Sequence, residues 1–214
     1  MSTEVTTNIR SMGPYQIDTG IWLTSVFPSD AEHVFRVINL DSSIANGLYS
    51  SAVTFPFPQE SAVAFTIGCL ARRTKSGQET TWAIRRSVDG PLIGIFGINL
   101  FDHGNDAAMI CDGVPIVAPS SSSEAEKRVC GDLGYWISPE CVGQGIMSRV
   151  LSYGLQHLAR QEFGYNRVHG ECWKENLASQ RVMSRAGMRP SPALPCFVAK
   201  FNATKKVAGF VIDL

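Results

Sequence analysis

Apolar positions along this chain follow two periods, one near 3.6 residues and one of two, and stretches of each kind alternate from end to end. The plainest helical stretch has Met147, Val150, Leu151, Gly154, Leu155 and Leu158 at i, i+3, i+4, i+7, i+8 and i+11. Ser148, Arg149, Ser152, Gln156, His157 and Arg160 fill the opposite face, so one side meets a core and the other meets water. Just upstream, Leu133-Gly134-Tyr135-Trp136-Ile137 is aromatic and β-branched and ends at Ser138-Pro139, which predicts a strand stopped by a residue that cannot donate to a ladder. Downstream, Arg167 to Trp173 reads as a second strand. Asn176 then caps a short helix on which Ser179, Val182, Met183 and Ala186 share a face.

The remaining elements follow from the same patterning. Gly20 to Val26 predicts a first strand, and Ser29-Asp30-Ala31-Glu32 has the form of a capping box opening a helix with Ala31, Val34, Phe35 and Ile38 inward. A second helix is expected from about Gln59 to Arg72, with strands at Thr81 to Arg86 and Leu92 to Leu100 around the turn Val88-Asp89-Gly90-Pro91. A final hairpin is expected from Cys196 to Phe201 and Lys206 to Ile212. Strands mixed with helices and no internal repeat give an α/β or α+β sheet covered by helices.

Composition narrows the function. A chain of 214 residues with 44% hydrophobic content buries a substantial core, and one domain over 1–214 is expected. Lys plus Arg equals Asp plus Glu at 19 each, so net charge draws the protein neither to nucleic acid nor to anionic lipid. Six cysteines lie scattered without a C-x-x-C pair or a histidine cluster, which argues against a metal site and a disulfide framework and for reduced thiols in a cytoplasmic protein. No run approaches the roughly 18 apolar residues of a membrane span. Asn202-Ala203-Thr204 is formally a glycosylation sequon and reads better as a turn. Residues 101–130, with Pro115, Pro119 and four consecutive serines from Ser120, read as a mobile surface insertion between the third and fourth strands.

Chemistry concentrates in the loop Val142-Gly143-Gln144-Gly145-Ile146-Met147. Its glycines leave backbone N–H groups unobstructed, and it opens into a helix whose N-terminus carries partial positive charge, an arrangement suited to an anion such as a phosphate-bearing cofactor. The chain contains no Gly, four residues, Gly-Lys-Ser/Thr run, and Ser148 stands where a dinucleotide fingerprint needs its third glycine.

Gly134-Tyr135-Trp136-Ile137, Gly143-Gln144-Gly145-Ile146-Met147, Glu175-Asn176-Leu177-Ala178-Ser179 and the closing Gly187-Met188 together resemble the GNAT superfamily of N-acetyltransferases, in particular the branch of ribosomal-protein N-terminal acetyltransferases. The close resemblance covers residues 131 to 188; Phe55-Pro56-Phe57-Pro58 leading into an apolar helix is a looser echo. It implies a mixed, mostly antiparallel sheet of about six or seven strands with helices on both faces. It also implies acetyl-coenzyme A as donor, its pyrophosphate held by Val142, Gly143, Gln144, Gly145, Ile146 and Met147. A splayed fourth strand around Tyr135, Trp136 and Ile137 would turn a backbone N–H toward the thioester. One departure is Glu140, where the family's loop commonly starts with Gln or Arg.

Amine acetylation needs oxyanion donors, a proton acceptor and a proton donor. By the resemblance Ser179 protonates the departing thiolate, with packing beside the cofactor as its plainer role; Asn176 contacts the cofactor or only caps. Asp132, Glu171 and His169 are open alternatives for the base, the last two sharing one strand face. The acceptor is expected in the segment Asp41 to Pro58, walled by Tyr49, Phe55 and Phe57, and in the final hairpin. With Asp41 as that segment's one acid, a peptide N-terminus or modest amine is favoured over polyamines. A monomer or homodimer is compatible with all this, and a non-catalytic acyl-coenzyme A sensor of the same fold is the competing reading.

Overall fold

Eight strands form one sheet, with helices packed on both of its faces. The structure is a computed structural model that describes residues 13–50, 52–100, 110–111, 114–115 and 130–214. In chain order the elements begin with β1 (Tyr15–Asp18), β2 (Ile21–Ser25), α1 (Ala31–Ile38), α2 (Ser43–Gly47) and α3 (Gln59–Ser76). They continue with β3 (Thr81–Arg85), β4 (Leu92–Leu100), β5 (Ile110–Cys111), β6 (Val114–Pro115), β7 (Cys130–Ile137), α4 (Ile146–Tyr153) and β8 (Arg167–Trp173). The last are α5 (Leu177–Arg185), β9 (Arg189–Ser191), β10 (Cys196–Val198), β11 (Ala203–Lys205) and β12 (Val207–Asp213). The large sheet has the order β1-β2-β3-β4-β7-β8-β12-β9, and among the described residues its neighbouring strands run antiparallel except β7 and β8.

The expected mixed, helix-covered sheet is present, with two edge strands, β1 and β9, beyond those read from the pattern; at four and three residues they are too short for a periodic signal. Each face carries its own core. Ile21, Trp82, Phe96, Leu133, Val150, Leu155 and Met183 pack on the side of α4 and α5, and Val34, Ile38, Phe57, Cys69, Ala83 and Ile95 on the side of α1 and α3.

The helix after the glycine loop buries all six residues of its predicted stripe, but its second half, Gly154–Glu162, widens into a π-helix. The bond from the Phe163 N–H to the Leu158 carbonyl at 2.9 Å closes that wider turn, and Leu155, Leu158 and Ala159 all face the core. Gly154 lies against the Phe96 ring, where a β-carbon would overlap it.

Three expectations are corrected. The capping box at Ser29 does not form, because Asp30 turns inward. Its carboxylate caps the 3-10 turn Pro28–Asp30 by accepting the Phe27 N–H at 2.9 Å and takes two bonds of 2.7 Å from the buried Arg85 guanidinium. The final hairpin divides. β10 pairs with β11 as a separate ribbon, while β12 enters the large sheet between β8 and β9. Phe57 is buried in the α1 and α3 core and Phe55 is exposed, so neither walls the cleft described below. Asn202 does sit in a turn, at φ 47°. The expected mobile insertion, 101–130, lies mostly outside the described residues, apart from the β5–β6 pairing.

Candidate active site

β7 loses one of its neighbours halfway along. It pairs with β4 from Leu100↔Gly131 through Gly94↔Ile137, but with β8 only at Cys130↔Arg167, Gly131↔Val168 and Asp132↔His169. Beyond Asp132, β8 follows β12, to which all seven of its residues pair. A gap therefore opens inside the sheet. The Ser138 N–H donates to the Ile93 carbonyl at 2.7 Å, so by antiparallel alternation Trp136 and Gly134 also spend their backbone groups on β4. The N–H groups of Tyr135 and Ile137, past the last β7–β8 pairing, consequently point into the gap.

The gap is part of a cleft of about 620 Å³. Of the expected cofactor-binding residues, Tyr135, Trp136, Ile137, Val142, Gly143, Gly145, Ile146, Met147, Asn176 and Ser179 line it. Gln144 does not. Its side chain is exposed and turned back, accepting from Arg86 and donating to the Glu140 carbonyl at 2.9 Å. Gly143 and Gly145 take φ values of +82° and +72°, which other L-residues rarely adopt, and open space surrounds the place of a β-carbon on each. The first-turn amides of α4 have no preceding carbonyl to bond within the helix, and they point with the helix's positive end at whatever fills the loop. The Val142 N–H is already used, donating to the Pro139 carbonyl at 3.2 Å, so Val142 contributes its exposed side chain instead.

On the α4 and α5 side, the Ser179 hydroxyl meets the Tyr135 hydroxyl at 2.7 Å. The Asn176 side chain accepts the Ser179 N–H at 3.1 Å, so Asn176 caps α5 while it lines the cleft. Burial raises the Tyr135 phenol against the opposing effect of its Ser179 bond. Cys172 is buried beside them, its thiol pushed up to about 11 mainly by burial.

The acidic candidates occupy the other face. Asp132 and His169 are register partners and Glu171 follows on the same face of β8, so the three share one side of the sheet. Burial, then the charge of Glu171, pushes the Asp132 carboxyl from 3.8 up to about 7, and burial also raises Glu171. Glu171 lines the cleft, Asp132 sits behind it where β7 and β8 part, and His169 is buried. Tyr49 lines the same end, its ring 4.0 Å from that of Trp173. Acidity at this end thus comes from the strands, whereas Asp41 is spent accepting the Ser43 N–H at 2.7 Å. A cleft that pierces a sheet, with a hydroxyl pair on one side, carboxylates on the other and backbone donors between, can hold an acyl carbonyl and handle protons at both ends.

A profile of the acetyltransferase (GNAT) domain matches residues 21–189. The chain belongs to the GNAT family. At the level of sequence no curated protein matches it. Solved acetyltransferase structures superpose well. The microcin C7 self-immunity acetyltransferase MccE, in complex with acetyl-coenzyme A and AMP, gives a TM-score of 0.69 at 16% identity, covering 95% of this chain and 99% of that one. RimL, the ribosomal L7/L12 alpha-N-protein acetyltransferase in complex with coenzyme A, gives 0.66 at 17% identity over 93% and 97%. The ribosomal-protein-S5-alanine acetyltransferase from Vibrio fischeri gives 0.68 at 12% identity over 94% and 97%. At these identities the likeness is one of fold.

Within this GNAT fold, several cleft residues escaped sequence reasoning. Arg181 and Arg185 line it from α5, and their spacing of four was the available signal. The Tyr135 to Ser179 contact joins residues 44 apart and leaves no local trace. Among the described residues no cluster of three or more His, Cys, Asp or Glu is placed to hold a metal, and no helix is long and apolar enough to cross a membrane.

Proposed function

We propose that this GNAT protein is an acetyl-coenzyme A-dependent N-acetyltransferase that moves the acetyl group directly to a primary amine, of a peptide N-terminus or a small molecule. The observation that carries the proposal is the gap between β7 and β8, with the Tyr135 and Ile137 N–H groups turned into it. The glycine loop fits a diphosphate by its left-handed backbone, its open surroundings and the α4 terminus behind it. Coenzyme A complexes of the related folds MccE and RimL support the same donor.

Acetyl-coenzyme A, when bound, supplies an activated acyl thioester. The amides of Gly143 to Met147 hold its diphosphate. The Tyr135 and Ile137 N–H groups take up negative charge on the reacting carbonyl oxygen, a job fixed dipoles do without reorganising. Ser179, held by Tyr135, gives a proton to the departing sulfur. On the opposite face Asp132 or Glu171 takes the amine's proton, and a carboxyl at about 7 is matched to that task near neutral pH. Cys172 stays a thiol at that pH, which favours direct transfer over an acyl-cysteine route.

Thiol release from acetyl-coenzyme A across a panel of peptides and amines tests the proposal, with Ser179→Ala alongside and mass spectrometry of the products. Acetylated amine is expected. Tight coenzyme A binding by calorimetry with no product on any acceptor would instead favour the sensor reading, and no binding at all would refute both.

A further inference from the structure

The Ala199–Phe201 turn between β10 and β11 carries Lys200, whose ammonium donates to four backbone carbonyls of one segment. These are Ala45 at 2.6 Å, Leu48 at 2.7 Å, Ser50 at 3.0 Å and Val53 at 3.1 Å. An ammonium has three protons, so one bond is shared, and its charge strengthens all of them. The Phe201 ring stands 5.2 Å from the same nitrogen. The segment so held has little of its own to keep it in shape. α2 is five residues long, far too short to persist unaided, and the described residues between it and α3 form no further helix or strand.

That segment carries Tyr49. Its ring lies 4.0 Å from Trp173, whose indole N–H donates to the Asn46 carbonyl at 2.9 Å. Its hydroxyl is buried and has no hydrogen-bond partner among the described residues, an unusual state for a group that costs free energy when left unpaired. Glu171 lines the same end of the cleft. A hydroxyl oxygen and a carboxylate that face one space together accept the N–H groups of a primary amine.

We propose that Lys200 is a positioning residue for the amine acceptor, pinning the 45–53 segment so that the Tyr49 hydroxyl stands with Glu171 at the acceptor end of the cleft. This rests on the acetyltransferase reading for the identity of the guest, and the pinning itself does not. None of the carbonyls that Lys200 holds belongs to the glycine loop, so the clamp should bear on the acceptor and leave the grip on the donor's diphosphate unchanged.

Lys200→Met keeps the length of the stem and removes the donors. With a short peptide bearing a free amino terminus, or the best amine of the panel, it should raise the acceptor KM by about tenfold or more while the acetyl-coenzyme A KM stays within about twofold. Tyr49→Phe should move the same constant. The double variant should be little worse than Lys200→Met, because both act through one hydroxyl. Lys200→Arg, keeping charge and donors, should recover part of the loss. Hydrogen exchange at 44–53 should quicken in Lys200→Met and stay unchanged at 142–151. Equal changes in both KM values, or additive losses in the double variant, would overturn the acceptor role. Unchanged exchange at 44–53 would overturn the clamp. If the wild-type protein acetylates nothing, the function reading fails, and exchange together with coenzyme A affinity still decides the clamp.

Discussion

Asp132→Asn should make the protein more stable and less active, with both effects set by pH. The carboxyl has a value of about 7 in the fold against an ordinary 3.8, because burial and then Glu171 oppose its charge. A raised folded value means that the folded state binds the proton more tightly than the unfolded chain. The cost of ionising is absent below the ordinary value, grows as pH rises toward the folded one, and is constant above it. Three units correspond to about 4 kcal/mol at the plateau, of which about 2 to 3 kcal/mol accrue between pH 5 and 8. Asparagine keeps a carbonyl for the Leu133 N–H that the carboxylate accepts. Urea unfolding of both proteins from pH 5 to 8 should therefore show Asp132→Asn gaining on the wild type by about that 2 to 3 kcal/mol across the range. Taking the difference between the two proteins largely removes the other titrating groups. If Asp132 is the base, kcat/KM should fall by about a hundredfold or more and lose its limb near pH 7. A stability difference flat with pH would refute the account of the buried charge. Stabilisation with full activity would move the base to Glu171.

Ser179→Ala should lower kcat by about tenfold or more with coenzyme A affinity unchanged by calorimetry, and Tyr135→Phe should do so more weakly because the serine hydroxyl survives. Equal loss of affinity would reduce Ser179 to packing. Gly145→Ala meets no neighbour but forces a side chain onto φ +72°, costing about 1 to 2 kcal/mol in urea unfolding, and it should also weaken coenzyme A binding. Lost stability with intact binding would mean that the loop does not grip the diphosphate. Gly154→Ala drives a β-carbon into the Phe96 ring and should cost about 1 to 3 kcal/mol, partly recovered by Phe96→Leu; a neutral result would show that the π-helical turn yields freely.

What could be read from the letters was whatever neighbours in sequence decide. The stripe from Met147 to Leu158 and the glycine loop are local patterns, and both stand where periodicity and backbone freedom put them. The Asn176 cap is local too. What could not be read depends on partners far along the chain. Asp30 turns its carboxylate to Arg85, 55 residues away, and no box forms on Ser29; Lys200 reaches carbonyls about 150 residues back; and Asp132 meets Glu171 only because β7 and β8 run side by side before they part. The π-helical turn is equally invisible, since an inward stripe at 3.6 and a slightly wider one share the same first members.

The interrupted ladder between β7 and β8 has a kinetic corollary. It makes the sheet a wall with a window, hydroxyls on one side and carboxylates on the other. On the acetyltransferase reading each reactant then has its own doorway, and neither must leave for the other to arrive. Both can be resident at once, so turnover proceeds through a ternary complex, and double-reciprocal plots intersect instead of running parallel.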